Sequence, residues 1–72
     1  MSPEKLVHMA NQIGRFFAAQ GEADAAAGIA DHLEKFWEPR MRRDILAHEA
    51  AGGAGLSAVA REAIRRLHVA AA

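Results

Sequence analysis

The sequence predicts an all-α fold: a small bundle of about four amphipathic helices, the third short and starting at a proline bend. Three observations carry this. Apolar residues recur at helical spacing from Leu6 to Leu67. β-Branched residues are few, and strict apolar–polar alternation is absent. Glycine or proline falls at each point where one helix would have to give way to the next. At 72 residues the chain is a single domain, 1–72, near the lower limit for folding alone.

The first helix is expected over 3–20. Ser2 suits an N-cap and Pro3 the first helical position. Leu6, Met9, Ala10, Ile13 and Phe17 then form an apolar stripe, and Gly21 is a good stop. The second helix is expected over 22–37, with Ala26, Ile29, Ala30, Leu33 and either Phe36 or Trp37 facing inward. Its alanine-rich first half permits close helix approach but supplies little area, so Leu33, Phe36 and Trp37 must anchor it. Pro39 lacks a backbone N–H and disfavours helical geometry at Glu38, so the chain should bend or restart there. A third helix over 39–50 carries Met41, Ile45 and Leu46. After the break at Gly52-Gly53-Ala54-Gly55, Ser57 caps a fourth helix, 57–69, with Val59, Ala60, Ala63, Ile64 and Leu67 as its stripe.

Composition narrows the functional classes. There is no cysteine, which removes disulfides and thiolate metal sites. Nine Lys+Arg balance nine Asp+Glu, whereas a nucleic-acid binder of this size shows a basic excess. No apolar run approaches the length needed to span a bilayer. Met1-Ser2-Pro3-Glu4-Lys5 lacks the apolar stretch of a signal peptide. A body this small is expected to draw its missing stability from oligomerisation or docking.

No catalytic, cofactor-binding or metal-binding residues are expected. No two of His8, His32, His48 and His68 share a helical face by local spacing. His48-Glu49 begins like a zinc-protease helix, but Gly52 stands where the second histidine is needed. Asp44 and His48 suit an ordinary i, i+4 pair. Ser2 and Ser57 are placed to cap helices, and the glycine loop lacks the Lys-Ser/Thr of a phosphate site.

One stretch stands out: His32-Leu33-Glu34-Lys35-Phe36-Trp37-Glu38-Pro39-Arg40-Met41-Arg42-Arg43. Arg40, Arg42 and Arg43 sit at a helix N-terminus, where cations are mildly unfavourable. Two readings are open. Either the helix bends without ending and Glu38–Arg42 is a local pair, or the guanidinium groups meet carboxylates, carbonyls or phosphates of a partner. Arg61, Arg65 and Arg66 read as a solvated face, with Glu62–Arg66 as local support. Neighbouring helical residues point about 100° apart, so a small body has difficulty burying both members of Phe16-Phe17 and of Phe36-Trp37. Phe36 is expected inside, and Trp37 is expected to face a partner, since Trp and Arg are enriched at binding hot spots. The candidate interface is Phe36, Trp37, Pro39, Arg40, Met41 and Arg42.

These strings also carry a family resemblance. Lys5-Leu6-Val7-His8-Met9-Ala10-Asn11-Gln12-Ile13, Phe16-Phe17, the stretch from His32 to Arg42, and Gly55-Leu56 before an amphipathic last helix resemble the delta subunit of NAD-dependent molybdenum formate dehydrogenases. The resemblance covers nearly the whole chain. The family commonly has Asp where this chain has Glu38, which keeps the charge, and Arg where it has His8, which does not.

The resemblance implies a non-catalytic accessory subunit of a soluble cytoplasmic complex, docking on the large molybdenum-containing subunit and supporting its assembly or activity. The complex oxidises formate to CO2 and reduces NAD. Molybdenum cofactor, iron–sulfur clusters, FMN and NAD are expected in partner subunits and none in this chain. Self-association is a further expectation for the isolated chain. One alternative is a maturation factor aiding molybdenum cofactor insertion. A distant one is a nucleic-acid-binding or regulatory module using Arg40, Arg42, Arg43, Arg61, Arg65 and Arg66.

Overall fold

The computed structural model describes residues 2–21 and 23–67. Four helices follow in chain order, α1 Pro3–Ala19, α2 Ala25–Phe36, α3 Pro39–Ala50 and α4 Ala58–Arg65. No strand occurs among the described residues.

Local chemistry fixes most helix ends where the sequence places them. Ser2 accepts a hydrogen bond from the Lys5 amide and Ser57 one from the Ala60 amide, each satisfying an otherwise orphaned donor. Gly21 closes α1 with a φ of +70°, a conformation that costs little only for glycine. Pro39 opens α3, and Glu38 before it is extended, with ψ 152°, as the pre-proline position requires.

Helix α2 is shorter than the 22–37 expected from sequence. Its first helical residue is Ala25, because the Asp24 carboxylate accepts from the Ala27 amide as an N-cap. Glu22 lies outside the described residues. At the other end Trp37 is already extended, with ψ 140°, so α2 ends at Phe36 and the chain restarts two residues later. Helix α4 likewise ends at Arg65, where i→i−3 bonds from Arg66 to Ala63 and from Leu67 to Ile64 tighten the last turn. The expected extension to 69 falls at 68 and 69 outside the described residues.

The core unites Leu6 and Ala10 of α1, Ala26, Ile29, Ala30 and Leu33 of α2, Ile45 of α3, Ala60, Ala63 and Ile64 of α4, and Trp37 and Leu67 from the connections. Helix α2 packs most extensively on α4, and each brings two buried alanines, so the backbones approach closely. Gly14 of α1 faces α2 and α4 without being required there: a Cβ would sit at ordinary contact distance, 3.5 Å from Val59 and 3.7 Å from Ile29. The loop before α4 is held from a distance. Asn11 donates to the Gly55 carbonyl at 2.9 Å and accepts from the Ser57 amide at 3.0 Å. The His48 ring lies 2.8 Å from the Ala54 carbonyl; that oxygen can only accept, so Nε2 carries the proton.

The α2–α3 corner and an aromatic run as candidate functional site

Two residues at the end of α2 are placed opposite to expectation. Trp37 is only 5% exposed and belongs to the core, while Phe36 is 71% exposed. The 100° separation of helical neighbours explains why one is in and the other out. It fails to say which, because Trp37 is no longer helical: its extended backbone swings the indole under the bundle. The same division holds on α1, where Phe16 is 58% exposed and Phe17 is half-buried against the core.

The three arginines of the corner also part company. Arg42 folds back on α2, and its Nη1 donates to the carbonyls of Glu34 and Trp37, the first at 3.0 Å. These carbonyls lie in or just past the last turn of α2, where acceptors lack intrahelical partners and carry partial negative charge. Neither an uninterrupted helix nor a Glu38–Arg42 side-chain pair is present. Arg40 and Arg43 stay exposed and make no ion pair with a described residue, although Glu38 and Asp44 are near in sequence. Pro39 is exposed beside them, and Met41 is half-buried against the core.

Of the six residues expected at an interface, Phe36, Pro39 and Arg40 are therefore open to a partner. Met41 and Arg42 are half-buried, and Trp37 is inside. Sequence reasoning missed His32, whose ring is 4.7 Å from Phe36 and 6.2 Å from Phe17, centroid to centroid; Phe17 in turn meets Phe16 edge-on at 5.4 Å. The i, i+4 spacing of His32 and Phe36 was the available signal.

Several other charges are paired within the chain. Glu49, its side chain 14% exposed, receives Arg61 at 3.3 Å and Arg65 at 3.2 Å. Arg66 bridges Asp24 at 2.9 Å and Glu62 at 3.1 Å, and Lys35 pairs with Asp31 at 3.0 Å. The Asp24 carboxyl is held below its ordinary range, first by the Arg66 guanidinium and then by the Ala27 amide. His48 contacts a carbonyl, not Asp44; His68 lies outside the described residues.

No three histidines or carboxylates converge among the described residues. An open depression of about 450 Å³ lies along the start of α1, lined by Ser2, Glu4, Lys5, His8 and Met9. All five come from one helix end, so polar groups do not converge there from several elements as in a substrate site. None of the described helices is long and apolar enough to cross a membrane.

Fold and site together define a small all-α protein whose candidate site is an outward surface. Residues 5–64 match the family described as NADH-dependent formate dehydrogenase delta subunit FdsD, and the chain belongs to that family. It is thus of a kind that works as one subunit of a formate dehydrogenase complex, among partner subunits. No curated protein and no solved structure matches the chain.

Proposed function

We propose that this chain is a non-catalytic accessory subunit that docks on the large molybdenum-containing subunit of a formate dehydrogenase through the corner between α2 and α3. One observation supports the reading above others. Trp37 and Arg42 are used up inside the fold, while Phe36, Arg40 and Arg43 beside them find no place in it. Cations at a helix start with no ion pair among the described residues, and a bare ring at a helix end, weaken an isolated chain, and both are accounted for by a partner's surface. Molybdenum cofactor, iron–sulfur clusters, FMN and NAD belong on this reading to the partner subunits, and the complex works in the cytoplasm.

The same contacts weigh against the nucleic-acid reading. Of its six arginines, Arg61, Arg65 and Arg66 are paired with carboxylates and Arg42 with carbonyls, leaving only Arg40 and Arg43 for phosphates.

A tagged copy recovered from its native cells tests the proposal, with the eluate assayed for molybdenum, iron and formate-dependent NAD reduction. Stoichiometric large subunits with activity are expected. Large subunits lacking molybdenum would move the role to cofactor insertion, and nucleic acid without those subunits would overturn it.

A further inference from the structure

The rings of Phe16, Phe17, His32 and Phe36 form one unbroken run across α1 and α2, each within 6.2 Å of the next. Its two ends are the only large apolar side chains among the described residues that are mostly exposed. Scattered exposed apolar residues need no explanation, but two large rings joined through a continuous aromatic bridge make a patch. Phe17 ties its middle to the core, so the patch is presented on a fixed base.

Charge says what lies over it. Arg40 is four residues beyond Phe36, so their Cα atoms are within about 14 Å of one another. The Phe36 end of the run is therefore close to the start of α3, where Arg40 and, one helical turn on, Arg43 make no ion pair with a described residue. Arg15, next to Phe16 in the chain, makes none either, while Lys35, Arg61, Arg65 and Arg66 have carboxylate partners. From Glu38 to Asp44 three arginines face two carboxylates, leaving a net positive end.

We propose that the aromatic run and the Arg40–Arg43 end of α3 are one docking surface, and that its occupant is a segment of the large subunit carrying apolar side chains followed by carboxylates. The inference rests on the docking reading above and adds the second half of the surface, on α1, and the chemistry of the partner. Such a segment buries the rings and gives both guanidinium groups the acceptors they lack, the combination found at interface hot spots.

The test uses the co-expressed complex, purified through a tag on the large subunit, with the amount of this chain retained after washing as the readout. Two doubly substituted chains are compared with the unaltered one: Phe16→Ser with Phe36→Ser, and Arg40→Glu with Arg43→Glu. All four positions are exposed, and far-UV circular dichroism of each free chain checks that the helices persist. Each pair is expected to weaken retention by roughly tenfold or more, and rising salt should erode binding of the unaltered chain. Retention of both variants at the unaltered level would overturn the surface while leaving docking intact. The same holds if the serine pair abolished self-association of the free chain but left the complex whole, since a second copy would then be the occupant. Absence of the unaltered chain from the complex would instead remove the docking reading itself.

Discussion

Arg42 and Trp37 are joined side chain to backbone: the guanidinium donates to the carbonyl of the residue whose indole fills the core below it. The same nitrogen reaches Glu34. One arginine thus closes α2, fixes the angle to α3 and holds Trp37 inward. Arg42→Ala is expected to destabilise the free chain by about 1–3 kcal/mol, the net worth of hydrogen bonds from a charged donor. Arg42→Lys should fall between, because an ammonium lacks the planar fork of the guanidinium. Urea unfolding followed by circular dichroism measures both. Equal stability of all three chains would contradict this role.

Trp37 and Phe36 should behave oppositely when truncated. Trp37→Ala removes a buried core side chain and should cost about 3–5 kcal/mol. A chain of this length has roughly 4–11 kcal/mol at the usual stability per residue, so the variant is expected to lose much of its helicity when isolated. Phe36→Ala should change stability by no more than about 0.5 kcal/mol. Thermal melts of the two variants side by side give the comparison.

Glycines divide by what a methyl group would meet. At Gly53 the φ of +65° is strained for any other residue, and a Cβ would lie 2.9 Å from the Arg61 Nε, disturbing the Arg61–Glu49 pair. Gly53→Ala should destabilise by at least about 1–2 kcal/mol. Gly14 is helical with ordinary contacts around the missing methyl, so Gly14→Ala should stabilise by about 0.5–1 kcal/mol. Chemical denaturation reads both signs.

Acid sensitivity follows from Asp24. Arg66 and the Ala27 amide lower its pKa in the folded chain. A carboxyl depressed on folding adds stability that is complete above its unfolded value, near 4, and is lost as pH falls through the folded value. Asp24→Asn keeps an N-cap acceptor but removes the charge that Arg66 meets. Between about pH 6 and about pH 3 the melting temperature of the unaltered chain should therefore fall further than that of the variant. Parallel curves would show that the pair contributes nothing.

Much of the architecture is legible in the sequence because its signals are local. Ser2-Pro3, Gly21, Pro39 and Ser57 mark helix ends through their own backbone chemistry, and the apolar stripes face the core as their spacing requires. The less legible parts depend on distant residues or on a single dihedral angle. Glu49 meets Arg61 and Arg65, and Asn11 clamps the loop before α4, through contacts that no local pattern announces. Ala-rich sequence hid the late start of α2 at Ala25, after the Asp24 cap. One extended residue reversed the expected burial of Phe36 and Trp37. The pairing of adjacent aromatics was a sound signal that one of each would remain outside.

The most direct measurement of the docking claim places a photoreactive benzoylphenylalanine at position 36 of the chain in the assembled complex, with a second probe at exposed Ala58 of α4. Irradiation should join position 36 to the large molybdenum-containing subunit, with the Ala58 probe giving little or no product. Cross-linking from Ala58 but not from position 36, or from position 36 only to a different subunit, would contradict docking through the α2–α3 corner.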